Sequence, residues 1–272
     1  MEAVSLDLQG FMTDSETQIP DMPRTFGAAK AFATFALVFL GQTQAGIHVI
    51  AAATVLALGR GENVQDAAFA KTLLSRSMPA LILVSALVSA MIVFVIARVW
   101  AQPILRDTSD AGVGLVRARL ALMICWGCAG ALLAATYMMF SQWISTFDPS
   151  MPLGPLASAA SAGGASRVAW AVMAVLFAPL VEETLFRGLL LAGFSASWGG
   201  TAGAVVVTIL FAVLHLTETM RYWPATVAVC SLSLATLAAR RTSGSLLPAI
   251  VLHGAYNAVI VVATFLDADL SL

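Results

Sequence analysis

The sequence predicts an all-α fold, a polytopic membrane bundle of about seven transmembrane helices, or eight if the over-long first apolar run divides. Three observations carry this. The 272 residues are 60% hydrophobic and 11% charged, against about 25% charged in soluble domains. Seven apolar runs each approach the ~20 residues that span a bilayer. Trp100, Trp143, Trp170, Trp198 and Trp223 fall near the expected ends of those runs, as an aromatic belt at headgroup level would.

The elements follow in order. Residues 1–26 form a polar tail with Glu2, Asp7, Asp14, Glu16 and Asp21. It lacks the basic start and immediate apolar stretch of a signal peptide. The N-terminal membrane part, 27–146, holds runs at 28–58, 78–99 and 118–142. The first carries Gln42, Thr43, Gln44 and His48; His48 has no partner motif and reads as structural. Residues 147–166, rich in Pro, Gly, Ala and Ser, read as a linker. Runs at 167–195, 200–217, 222–239 and 245–266 complete a second part, 167–267.

Charge fixes an expected orientation. Arg24, Lys30, Arg98, Arg106, Arg117, Arg119, Arg240 and Arg241 fall on the N-terminal side of a seven-span chain. Arg60, Lys71, Arg76, Arg167 and Arg221 fall opposite. The excess favours a cytoplasmic N-terminus. The high Ala and Gly content points to a prokaryotic inner (cytoplasmic) membrane. A net charge of −1 with no basic cluster beyond Arg240–Arg241 argues against nucleic-acid partners. Cys125 and Cys128 form a CxxC in an apolar run and Cys230 lies in another; all three read as small buried membrane side chains.

The chemistry concentrates in the second part. Glu182, Glu183 and Arg187 lie within six residues of one apolar run, where each ionisable group carries a penalty of at least ~2.5–3.5 kcal/mol. His215 sits in the next run, and His253 with Asn257, on one helical face, in the last. Glu182 lies sixteen residues before Trp198 and His215 fifteen after Gly200. Both are roughly 22–24 Å from the shared turn, hence level on antiparallel helices. Glu183 and Arg187, four apart, pair along the helix and leave Glu182 on another face. Pro179 and Pro248 each remove a helical hydrogen bond, as tolerated where backbone lines a polar cavity. A carboxylate and a histidine that share a water, with a second histidine and an amide as hydrogen-bond donors to an oxyanion, are the parts of a water-activating amide hydrolase. The four side chains are expected to converge on one water-filled cavity open toward the cytoplasm.

Other protease designs fail on inspection. There is no HExxH. Gly193–Phe194–Ser195–Ala196–Ser197 misses the last glycine of a GxSxG elbow. Every aspartate (7, 14, 21, 66, 107, 110, 148, 267, 269) falls in an expected tail or loop. A small transporter would also place ionisable groups at mid-membrane but predicts inverted repeats, and no internal repeat is visible.

Glu182–Glu183–Thr184–Leu185–Phe186–Arg187 resembles the EExxxR motif of the CPBP family, the CaaX-protease and bacteriocin-processing enzymes, also called Abi. Phe211 to His215 is similar to its FxxxH motif, and His253 to Asn257 to its HxxxN motif. The segment Thr242 to Ile250 is similar to the approach to that histidine. The three motifs occur in order on three runs, and the resemblance covers about residues 165–266. It implies an intramembrane endopeptidase in which Glu182 and His215 activate water and His253 and Asn257 form the oxyanion hole. Glu183 and Arg187 would support them, and Phe211 would pack beneath His215. It implies a membrane-tethered peptide or protein as substrate, within the lipid bilayer. The family is described both as glutamate-type and as metal-dependent. The sequence favours the metal-free, glutamate-type form, since a divalent metal such as zinc would have to draw Glu182, His215 and His253 from three helices. The alternative is a non-catalytic immunity or scaffold protein of the same family.

Overall fold

A computed structural model describes residues 26–147, 165–216, 220 and 222–270. Most of the acidic tail (1–25), most of the linker (148–164) and Arg221 lie outside the described residues. Among those described there are seven helices and no strand: α1 (Ala28–Gly59), α2 (Ala67–Val99), α3 (Leu120–Ser145), α4, α5 (Gly200–Leu214), α6 (Trp223–Ser243) and α7 (Leu247–Leu270). α4 is composite. Its α-helical stretches Ala165–Val172, Ala178–Glu183 and Leu191–Trp198 are joined by π-helical turns at Met173–Phe177 and Thr184–Leu190.

Five of these helices are long and apolar enough to span a bilayer; α5 is apolar but shorter, with 15 residues. The over-long first run is one helix of 32 residues. α2 begins at Ala67, well before the expected 78, because the Asp66 side chain caps it by accepting from Ala68 N at 2.8 Å. A cap at that position supplies a partner for an otherwise orphaned N–H. α5 stops at Leu214 rather than continuing to 217, and His215 is its C-cap residue. α7 continues to Leu270, so the backbone at Asp267 and Asp269 is helical rather than a tail. Pro248 is the second residue of α7, where no intrahelical N–H bond exists to lose, so it breaks nothing. Cys125 and Cys128 are exposed on the α3 surface rather than buried, and Cys230 is half-buried.

Packing makes α4 the central element. α1 pairs with α2 and α3 with α7; α5 lies on the C-terminal half of α4, and α6 contacts α3, α5 and α7. Every residue from Leu185 to Ala196 is buried, whereas the first half of α4 exposes Val168, Val172, Leu176, Phe177 and Leu180. One apolar cluster joins α1, α2, α4 and α5 around Phe186, Phe194 and Phe211. A second joins α3, α6 and α7 around Ala134, Leu252 and Tyr256.

The α2–α3 connection closes the bundle at the end where α4 turns into α5. Arg240 of α6, fully buried, donates to the carbonyls of Thr108, Ser109 and Gly112 at 2.9–3.0 Å. Gly114, at φ 72°, lies against that guanidinium where a side chain would collide. Arg241 donates to Asp110 at 2.7 Å and to the Gly200 carbonyl at 2.6 Å. Ser245 Oγ donates to the Val116 carbonyl, and Leu246 N to that of Gly114. Val113 is thereby buried beside Gly188 of α4.

Candidate active site

The site forms where α4 passes from its enclosed half to its open half. Glu183 and Arg187 are both fully buried, with Arg187 Nε 3.3 Å from Glu183 Oε2. The expected pair along the helix is present. Arg187 Nη2 also donates to the Ser233 carbonyl of α6 at 2.9 Å. Its guanidinium carbon lies 4.4 Å from the Phe211 ring centroid, a distance at which an aromatic face attracts a cation. Thus an arginine inside the membrane is held by a carboxylate, a carbonyl and an aromatic ring, each from a different helix.

Glu183 has a second partner. His253 Nδ1 is 2.7 Å from Glu183 Oε1, and His253 is 3% exposed. An ionised carboxylate only accepts, so Nδ1 carries the proton in this contact. The sequence reading placed His253 with Glu182; the structure joins it to Glu183. Depth along a helix does not separate two adjacent residues, which differ by about 100° around the axis.

Glu182 faces the other histidine. Its Oε2 is 3.9 Å from His215 Nε2, and the two side chains are 23% and 19% exposed. The level depth counted from the shared turn is therefore present. His215 Nδ1 lies 2.9 Å from the Phe211 carbonyl, its own residue i−4. A carbonyl accepts only, so Nδ1–H is committed to it, and Nε2 is the ring nitrogen left toward Glu182. The gap of 3.9 Å exceeds a hydrogen bond.

Phe211, buried, joins the two histidines. Its ring centroid is 4.6 Å from that of His215 and 6.3 Å from that of His253. The expected packing under His215 is observed, and the same ring also meets Arg187.

Asn257 does not join these contacts. Its Nδ2 donates to the Ala174 carbonyl at 2.7 Å, within the first π-helical turn of α4. His48 hydrogen bonds the Gln44 carbonyl in its own helix, in keeping with a structural residue. The sequence reading missed Ser233 and Thr236, which are buried on α6, Thr236 Oγ1 donating to the same Ser233 carbonyl that Arg187 uses. The run also holds Thr226 and Ser231, so the sequence does not single the pair out.

Among the described residues no three His, Cys, Asp or Glu side chains lie together as a metal-holding group. His253 turns its Nδ1 to Glu183 and His215 its Nδ1 to backbone.

Residues 164–259, about a third of the chain, match the family model described as Type II CAAX prenyl endopeptidase Rce1-like. Over these residues the chain is similar to the Rce1-like CAAX endopeptidases, in keeping with the CPBP resemblance of the three motifs. No curated protein and no solved structure matches it. The matched stretch takes in α4 to α6 and the part of α7 that bears His253 and Asn257. All residues with polar contacts at the site thus belong to it. The helices outside it, α1 to α3, supply packing against α4 and α7 and the connection that closes one end.

Proposed function

We propose that this chain is a glutamate-type intramembrane endopeptidase. It hydrolyses a peptide bond in a membrane-tethered peptide or protein, with water activated by Glu182 and His215. One observation carries the reading: Glu182 Oε2 and the Nε2 of a histidine whose Nδ1 is turned to the Phe211 carbonyl face each other across 3.9 Å.

In the proposed step, a water between the pair attacks the scissile carbonyl carbon while its proton passes to Glu182, with His215 accepting the water's other hydrogen bond. The developing oxyanion takes hydrogen bonds from the His253 Nε2–H and from the second N–H of the Asn257 amide. His253 Nδ1 is turned to Glu183, which leaves Nε2 to face the oxyanion. Glu183 also serves as counter-charge to Arg187. The tetrahedral intermediate collapses as the C–N bond breaks, and the proton held by Glu182 goes to the leaving amine.

Depth and burial bear on the path for substrate. His215 lies about 22 Å along α5 from the Gly199 turn. On the side of that turn, α4 is buried from Leu185 to Ala196 and covered by Val113. The open half of α4 lies toward the α5–α6 connection. We therefore propose that substrate reaches the site laterally from the bilayer, where that half of α4 exposes Val172, Leu176 and Leu180.

The test uses purified protein in liposomes and two substrates: a prenylated CaaX peptide, the class in the family's name, and an unprenylated peptide with an apolar leader helix. Cleavage of either, unchanged by a chelator, is the expected result. Loss of cleavage with chelator and recovery with zinc would overturn the glutamate-type reading. Intact peptides in every condition would favour a non-catalytic role.

A further inference from the structure

We infer that Pro179 is a positioning residue for Asn257, acting through the backbone carbonyl of Ala174. This rests on the role proposed for Asn257 above. Met173–Phe177 is a π-helical turn whose cap, Ala178 N–H, bonds back five residues to the Met173 carbonyl. In that register the next donor, residue 179, would bond the Ala174 carbonyl. Residue 179 is proline and has no N–H. The orphaned carbonyl is the one that Asn257 Nδ2 reaches at 2.7 Å.

The surroundings fit a purpose-built contact. Pro179 is buried. One turn before Asn257, Gly254 lets α7 approach so closely that a Cβ there would stand 3.0 Å from the Val175 carbonyl. Two successive carbonyls of the π-helical turn thus face α7. An acceptor-only carbonyl also decides the orientation of the amide. It holds Nδ2 rather than Oδ1 toward α4, and so fixes the direction of the remaining N–H. Pro179 lies outside the EExxxR stretch and touches no reacting atom; its effect passes through Asn257.

Pro179→Ala restores the missing donor. If the π register persists, the new N–H at position 179 fills the Ala174 carbonyl; if the turn reverts to α, Ala178 N–H fills it. Either way the Ala174 carbonyl gains a backbone donor that competes with Asn257 for its lone pairs and weakens the anchor. Two cycles test this. In the first, Tm is measured in detergent for wild type, P179A, Asn257→Asp and the double variant. An ionised aspartate side chain has no N–H to give the carbonyl, so N257D should lower Tm in the wild-type background and much less in the P179A background. In the second, cleavage of whichever liposome peptide the wild type hydrolyses is compared. P179A should lower kcat about 10- to 100-fold, the scale of a small misplacement, with KM unchanged. P179A combined with Asn257→Ala should be no slower than N257A alone. Additive Tm losses, or kcat losses that multiply, would overturn the inference. If the wild type cleaves nothing, the Tm cycle alone still decides the Pro179–Asn257 coupling, and it is the function proposed above that fails.

Discussion

Two neighbouring glutamates have been given different work by one peptide unit of rotation. Glu182 is partly accessible and faces a histidine nitrogen; Glu183 is fully buried between an arginine and a histidine. Removing one partner of a buried charge pair strands the other at about 3–5 kcal/mol. We predict that Arg187→Ala, and likewise Glu183→Gln, lowers the yield of folded protein and its Tm far more than Glu182→Gln does. Equal yields and Tm values for the three variants in size-exclusion and thermal-unfolding measurements would contradict this division. Much of it was legible from the chain. The i, i+4 spacing gave the Glu183–Arg187 pair, and counting from the Trp198–Gly200 turn brought Glu182 level with His215. The His253–Glu183 contact was not legible, because the pattern of residue types is satisfied equally well by either carboxylate. Only the rotation of α4 about its axis chooses between them.

At the scale of helices, apolar run lengths gave the number of elements, and local chemistry moved their ends. Asp66 extends α2 outward, and α5 ends at Leu214 with the site histidine as its cap. The two prolines near the motifs looked alike in sequence. Pro248 falls in the first turn of α7, whereas Pro179 follows a π-helical turn and exposes a carbonyl. What distinguishes them is distance from a helix start, a boundary that periodicity does not fix. Close approach of helices in a membrane depends on small residues, and Gly130 of α3 is the clearest instance. A Cβ at Gly130 would collide with the backbone of Leu252, the residue before His253. We predict that Gly130→Val pushes α7 from α3, lowers stability by about 1–3 kcal/mol, and slows cleavage by displacing His253 from Glu183. Thermal unfolding together with turnover of the same preparation checks this. A variant with wild-type values for both would show that α7 is positioned by other contacts.

Over the whole molecule, the helices that carry no motif enclose one end of those that do. Phe26 and Ala31 lie against Gly193, and the α2–α3 connection seats Val113 beside Gly188 under the Arg240 clamp. Removing the buried guanidinium takes a donor from three carbonyls, of which that of Ser109 keeps the Gly112 N–H, at about 1–3 kcal/mol for each one left bare if water does not reach it. We predict that Arg240→Ala lowers Tm sharply, while the more exposed Arg241→Ala changes it little; the reverse order would refute the clamp. Membrane orientation is tested in cells, with the native cysteines replaced. A cysteine substituted for Arg106 should react with an impermeant maleimide from the cytoplasmic face only, and one substituted for Gly61 from the opposite face only. Reversed labelling would overturn the expected cytoplasmic N-terminus. The central claim, that the membrane-embedded Glu182–His215 pair activates water for peptide hydrolysis, is tested most directly by the turnover of Glu182→Gln in liposomes. This substitution keeps size and removes basicity. The account predicts a loss of at least about 100-fold in kcat, the lower bound of a general base's contribution, with wild-type Tm and folded yield. Wild-type turnover by a folded E182Q protein would contradict it.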